Sequence, residues 1–460
     1  MGAREAARIL GVKVATLYSY ASRRWVRSFP SGRHREKRYL REDLESLRHR
    51  ADARLGHEAV AAGALRWGEP VLSSALTEIR PEGPFYRGHP VLELARNARF
   101  ESVAELLWSG NFPATLPSWR RPRALPAALS RAHGSPIDAL ISGLAAVRLA
   151  RRQVPEAAAP ARRPSRRRAD PDTSGRLLTE PSPPELVWTL VGLVAGACGR
   201  RPSDALSAPD VAAGVQRALG APARGRPLLE SALVACADHE LNVSSFAARV
   251  AASTGADLEA CLLAALAAFS GPRHGAESMR VQALVVEAGR PERARSTLLA
   301  RTRRGEALPG FGHRLYPAGD PRGPLLLSLS SRQPRPARHL ATLEALVSEA
   351  MRLGLGGPNL DVGLLAVAHA LRLQPWAGQV LFCIGRSAGW IAHGAEQRTS
   401  GELLRPRARY VGPRSRETPG EPPAPGRRSR SGAAAPRVQA HARNGGAPAA
   451  SLGPRAPAPR

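Results

Sequence analysis

The chain has 460 residues, enough for two or three domains, and carries 67 Lys and Arg against 38 Asp and Glu, a formal charge of +29. Cys198, Cys236, Cys261 and Cys383 lie singly in apolar runs with no C-x-x-C pair, which argues against zinc and disulfide frameworks and for reduced thiols in a cytoplasmic protein. "MGAREAARIL" has no signal-peptide core, and "LVWTLVGLVAGACG" and "CLLAALAAF" are too short to span a bilayer, so no membrane role is expected and these runs read as buried helices.

Residues 1–55 form a distinct unit. "REAARILGV" reads as a short amphipathic helix with Ala6, Ala7, Ile9 and Leu10 on one side, Gly11 as a turn, and "KVATLYSYASRR" as a second helix. "RSFPSGRHREKRYLREDLESL" adds a basic hairpin-like segment and a third helix. This stretch resembles the winged helix-turn-helix of MerR-type regulators and phage excisionases. The resemblance implies duplex DNA as a partner, with Thr16, Tyr18, Ser19, Arg23 and Arg24 facing the groove and its phosphates, and Arg33, Arg35, Lys37 and Arg38 on the wing. The high net charge agrees with an acidic partner, although Arg also crowds Pro-rich stretches that are not expected to fold.

A larger helical region starts near residue 56. "FESVAELLWSGNFP" has apolar residues at helical spacing and stops at Gly110 and Pro113. Residues 153–183 lose periodicity and read as a flexible insert. From about 185 to 405 the pattern is helical again, with little strand-like alternation. Residues 413–460 are Pro, Arg, Gly and Ala, with too little apolar surface to fold, and read as a disordered basic tail.

Several segments carry chemistry: "ADHELNVSSFAARVAAS" (237–253), "AAFSGPRHGAESMRV" (267–281), "GFGHRLYPAGDPR" (310–322), "GGPNLDVGLLAVAHAL" (356–371) and "CIGRSAGWIAHGAEQRTSGELLRPRARYVG" (383–412). In order and spacing, together with the earlier "FYRGHPVLELARNARF", they resemble citrate synthase. The resemblance covers about residues 65–412. It implies an all-α fold: the helix-turn-helix head, then a large domain of residues 56–275 and 383–412, and a small one of 276–382. The site would lie between the two domains of the body.

By the family pattern Asp361 is the base that takes a proton from the methyl of acetyl-CoA, and His274 is the neutral donor at the thioester oxygen. His274 follows Gly271-Pro272 at an expected helix start, where the dipole favours the neutral ring. His313 would polarise the ketone of oxaloacetate. The substrate's carboxylates would meet His239, Arg322, Arg386 and Arg405, the last across a homodimer, and Arg314 would meet coenzyme A phosphates. No metal and no cofactor beyond the acyl-CoA substrate are implied.

Three departures stand out: Pro317 where Lys is usual, Arg273 beside the proposed donor, and the basic, Pro-containing "SLSSRQPRPARHLATLEAL" where a helix is usual. Two other functions fit the same residues. One is 2-methylcitrate synthesis from propionyl-CoA. The other is a DNA-binding regulator whose body senses a metabolite.

Overall fold

Ala3–Leu10 (α1) and Val14–Ser22 (α2) are the first two helices, and Gly11 at φ 64 ends the first. The computed structural model describes residues 2–23, 25–26, 28–30, 37–39, 43–44, 47, 72–122, 125, 135–152, 180–316, 319–334 and 337–406. Ser28–Pro30 (β1) and Lys37–Tyr39 (β2) pair antiparallel, Ser28 opposite Tyr39. Ala6, Ala7, Leu17, Val26, Tyr39 and Leu44 bury one another as a small core. Arg24, Arg33, Arg35 and most of the third expected helix lie outside the described residues, as does residue 413 onward.

The body begins with three short strands that the all-α expectation did not include. Thr77–Arg80 (β3), Gly83–Tyr86 (β4) and His89–Pro90 (β5) form an antiparallel sheet in the order β3-β4-β5. Arg87 (φ 44) and Gly88 (φ 85) make the two-residue turn between β4 and β5, a left-handed pair that suits the twist of a hairpin. The strain at Arg87 is held by its guanidinium, which donates from Nε and Nη2 to the Leu107 carbonyl at 3.1 and 2.9 Å.

Helices make up nearly all the rest: Val91–Asn97 (α3), Phe100–Ser109 (α4), Pro136–Arg152 (α5), Pro183–Ala197 (α6), Pro202–Leu206 (α7), Val211–Leu219 (α8), Arg226–Cys236 (α9), Val243–Ser253 (α10) and Leu258–Phe269 (α11). Glu277–Ala288 (α12), Ala294–Arg303 (α13), Arg322–Ser331 (α14), Arg338–Arg352 (α15), Leu360–Ala370 (α16) and Ala377–Ser400 (α17) follow. Asp210, Asn242, Asp257 and Asn359 cap helix N-termini with side-chain oxygens. The stretch marked as an unusual replacement is helical on both sides of a short connection that contains Pro334. At the end of the expected insert Glu180 is anchored, taking Arg398 at 2.7 Å and the Leu258 N–H, and Ser182 with Glu185 forms a capping box for α6.

α17 organises the body. It is about 36 Å long and touches α4, α6, α9, α10, α11 and α16. Its residues from Ala377 to Gly394 are almost all buried, and one continuous apolar core runs from Leu76 to Ala392. Each fully buried Leu or Ile in it contributes about 1.5–3 kcal/mol of transfer free energy. Among the described residues no helix is long and apolar enough to cross a membrane.

Candidate active site

The site starts where α9 ends. Tyr86 is fully buried, and its hydroxyl contacts the Val234, Ala235 and Asp238 carbonyls and takes the Asp238 N–H at 3.1 Å. This pins the turn Asp238-His239. α17 approaches the turn closely because Gly385 and Gly389 lack a Cβ. At Gly385 a Cβ would lie 2.6 Å from the Leu233 carbonyl, and at Gly389 it would strike Asp238 Oδ1 and the Ala237 carbonyl. Arg386, between the two glycines, donates from Nε to the Cys236 carbonyl at 2.7 Å.

Three further segments are stitched together. Gly310 takes its N–H to Glu277 Oε1 at 2.9 Å, and Asn359 gives its N–H to the Gly310 carbonyl at 2.8 Å. Gly312 donates to the Gly357 carbonyl at 2.8 Å, and Phe311 bridges Pro358. Gly312 (φ 76) and Gly356 (φ 103) allow this contact of backbone on backbone: a Cβ on Gly356 would lie 3.0 Å from the Gly312 nitrogen. The loop holding His313, the start of α12 just after His274, and the start of α16 with Asp361 therefore share one junction.

The three histidines are held towards their neutral forms. His313 Nδ1 accepts the Leu315 N–H at 3.1 Å, so in the neutral ring the proton is on Nε2. His239 Nε2 pairs with the Tyr316 hydroxyl at 2.8 Å, and its ring sits edge-on to His313, centroids 5.4 Å apart. Burial, then Arg322, Arg386 and His313, holds His239 well below the usual imidazole range. His313 is lowered by burial and Arg322 against the opposing pull of Asp320. His274 is brought down to about 4 by burial, with Arg386 adding to it. Arg273 is exposed.

Two guanidiniums border this group, and they differ. Arg322 is chelated by Asp320, Nε to Oδ1 at 3.0 Å and Nη2 to Oδ2 at 2.7 Å, with Nη1 on the Ala235 carbonyl. Arg386 is 1% exposed, lies over the Phe382 ring at 4.5 Å, has no carboxylate partner among the described residues, and leaves Nη1 unbonded. A buried cation without a counter-ion is costly unless an anion completes it. Asp361 is driven up to about 7 by burial, then by Glu277 and Asp320, against the lowering effects of Arg322 and the Ser278 N–H. A carboxylate titrating there is suited to take a proton near neutral pH.

His239, His313 and Asp320 place ligand-type atoms within 4.8 Å of one another. His313 Nδ1 is taken by the Leu315 N–H, which puts the ring proton on Nε2, His239 Nε2 is paired with Tyr316, and the Asp320 oxygens chelate Arg322. They do not fit a metal.

Among the residues singled out in the sequence, shared charge effects tie Arg322 to His239, His313 and Asp361, and Arg386 to His239 and His274. Arg314 and Arg405 are exposed. Pro317 lies outside the described residues. On α2, Tyr18 is exposed and Thr16 and Ser19 are partly exposed; Arg23, just past its C-terminal end, is exposed, and Lys37 and Arg38 are on β2.

Sequence reasoning gave no role to Tyr86, Asp238, Asn242, Ser244, Tyr316, Trp390 or His393. His393 is fully buried, 3.3 Å from Asp238 Oδ1 through Nε2, and its Nδ1 takes Arg249 Nε–H at 3.1 Å. Arg249 continues to Gln397 Oε1 at 3.0 Å and to Glu396, and Thr77 donates to Asp238 Oδ2 at 2.5 Å. Spacing held the signal: Arg386, Gly389, Trp390, His393 and Gln397 fall on one helical face.

The chain belongs to the citrate synthase family: the family model "Citrate synthase, C-terminal domain" matches residues 64–407. It is 40% identical over 185 residues to the putative citrate synthase 2 of Mycobacterium tuberculosis, covering 39% of this chain and 50% of that protein. The chain thus spans about half the length of that relative. It is 28% identical over 367 residues to the 2-methylcitrate synthase of the same species, covering 77% of this chain and 91% of that one. The fold matches the citrate synthase of Thermoplasma acidophilum in ternary complex with carboxymethyl coenzyme A and oxaloacetate, with a TM-score of 0.61 and 21% identity over 76% of this chain and 96% of that one.

Proposed function

We propose that the chain condenses acetyl-CoA with oxaloacetate and hydrolyses the resulting thioester, so that acetyl-CoA, oxaloacetate and water give citrate and coenzyme A. Asp361 takes a proton from the acetyl methyl, and His274 shares the charge that develops on the thioester oxygen. The nucleophilic carbon attacks the ketone of oxaloacetate, which the His313 Nε2–H polarises. The two carboxylates are held by His239, Arg322 and Arg386, with Arg405 supplied across a homodimer, and Arg314 meets the coenzyme A phosphates. The observation that carries this reading is the buried, unpaired Arg386 guanidinium beside neutral histidines: it calls for a small anion.

The test follows free thiol as purified protein meets oxaloacetate and acetyl-CoA, with propionyl-CoA in parallel. Thiol release that Asp361→Asn abolishes supports the enzyme. No release with either thioester, together with thermal stabilisation by oxaloacetate, replaces it with the metabolite-sensor reading. Propionyl-CoA stays in the comparison because one methylene in an apolar pocket shifts preference by only about 1–3 kcal/mol, and because the chain resembles the 2-methylcitrate synthase.

For the head we propose duplex DNA binding through residues 1–55, supported by the exposed Tyr18 and by Arg23, which lies 5.7 Å from the centre of the exposed Trp25 ring. Binding that weakens steeply with salt and vanishes on deleting those residues is the expected result.

A further inference from the structure

We infer that the Ser244 hydroxyl is a two-position proton rotor, and that in the unliganded protein it holds His274 as the Nε2–H tautomer with Nδ1 unprotonated. The inference comes from counting protons at one oxygen. Ser244 is fully buried, and its Oγ has three neighbours: Trp390 Nε1 at 3.0 Å, Asn242 Oδ1 at 2.8 Å and His274 Nε2 at 2.9 Å. A hydroxyl offers one proton and two lone pairs. The indole N–H only donates, so Trp390 fills one lone pair. One proton and one lone pair remain for Asn242 and His274.

Asn242 decides between them. Its side-chain oxygen also accepts the Ser245 N–H at 2.9 Å as the cap of α10. A backbone N–H bonds only to an acceptor, so the atom facing Ser244 is the oxygen and not the amide nitrogen. An acceptor at 2.8 Å takes the Ser244 proton. The remaining lone pair then faces His274 Nε2, which must carry hydrogen for all three contacts to be hydrogen bonds. The ring is neutral near pH 7, because burial and Arg386 depress its titration. A neutral ring with hydrogen on Nε2 has none on Nδ1.

The second setting is built in. When a thioester oxygen, which only accepts, lies against Nδ1, the ring needs its hydrogen there. The ring loses its Nε2 hydrogen to water and takes one from water at Nδ1, and Ser244 then turns its own proton to the freed Nε2 lone pair. Asn242 keeps the Ser245 N–H and is not left unsatisfied, so the turn costs one hydrogen bond. This loaded setting rests on the condensation reading above; the resting tautomer does not. Asn242, Ser244 and Trp390 are thus positioning residues for His274.

The test is nitrogen NMR of the full chain labelled at its histidine ring nitrogens, without ligand, near pH 7. Comparison with His274→Gln assigns the signals. The expected result is a proton-bearing Nε2 and a bare Nδ1. A proton-bearing Nδ1 in the unliganded protein overturns the inference, whether or not thiol is released in the condensation assay. Asn242→Ala removes the deciding acceptor and is expected to move the hydrogen to Nδ1; an unchanged tautomer in that folded variant also overturns it. Should the lost cap prevent folding, Ser244→Ala replaces it. There both tautomers are expected together, and a ring that stays wholly Nε2–H rejects the rotor.

Discussion

Arg386 and Asp238 are buried charges of opposite sign that do not pair with each other. Asp238 takes Thr77 and faces His393, while Arg386 bonds the Cys236 carbonyl. Each still acts on the other: Asp238 opposes the lowering of Arg386 by burial, and Arg386 lowers Asp238. The carboxylate is held away, and the guanidinium remains available for a ligand.

Arg386→Met tests that availability. Replacing a buried, unpaired cation with an apolar side chain of similar length is often neutral or stabilising. The variant is expected to melt within a few degrees of the parent, or above it, while losing the stabilisation that oxaloacetate confers. Loss of a buried charge from an anion site costs about 2–5 kcal/mol of binding, so KM for oxaloacetate should rise at least about thirtyfold. Thermal scans with and without oxaloacetate read both effects. An unliganded variant that unfolds readily yet keeps the ligand shift would show that Arg386 is a structural residue.

With Asp361 as the proposed base, activity and stability are expected to respond to pH in opposite directions. Burial, then Glu277 and Asp320, push its carboxyl up to about 7 in the fold, against roughly 3.9 for a free aspartate. Between those values the folded state binds the extra proton, so this group's contribution to stability is greatest below the unfolded value and is lost as pH rises through about 7. The base form needed for proton abstraction grows over the same range. The rate is therefore expected to climb through about pH 7 while Asp361's contribution to stability falls. Asp361→Asn should lower turnover by about 10²–10⁴ and flatten this part of the stability profile. Denaturation midpoints and initial rates at pH 5, 6, 7 and 8 check both, and a rate flat across that range would remove Asp361 as the titrating base.

The candidate site was legible through the resemblance to citrate synthase, carried by short motifs: His313 and Arg322 in one broken loop, Asp361 two residues after its cap Asn359, and His274 after a Gly-Pro turn. What lay hidden depends on contacts between distant segments. Tyr86 supports a turn 152 residues away, and no local pattern announces that. The role of His393 stayed hidden because its partners, Asp238 and Arg249, come from distant positions in the chain. The three-stranded sheet escaped because its strands have four residues or fewer, too short for alternation to stand out, although Arg87-Gly88 marked its turn. The fold class was the easiest part, since long runs of 3.6-residue periodicity leave few alternatives.

His393→Phe probes the buried chain from Thr77 to Glu396. Phe fills the space but leaves Arg249 Nε and Asp238 Oδ1 without this partner. An unsatisfied buried group costs about 1–3 kcal/mol, so the loss of the Arg249 Nε bond is expected to lower stability by about that amount in denaturant unfolding. His393→Asn can restore only part of the bonding and should recover part of the loss. Equal stability of the Phe variant and the parent would mean that the network contributes nothing net.

Gly389→Ala addresses the close crossing of α17 on the Asp238 turn. The new methyl would strike Asp238 Oδ1 and lie 2.5 Å from the Ala237 carbonyl, and neither the turn backbone nor the twice-held carboxylate is a flexible end that swings aside. Overpacking of this kind costs about 1–3 kcal/mol, and relief requires α17 to withdraw. Withdrawal would carry Arg386 away from the Cys236 carbonyl and separate it from His239. The variant is expected to fold with a lower melting temperature and to lose oxaloacetate binding by at least about tenfold, more than its stability change alone would produce. Calorimetric titration of the folded protein measures the binding, and full affinity in a destabilised variant would show that the glycine serves packing without setting the position of the arginine.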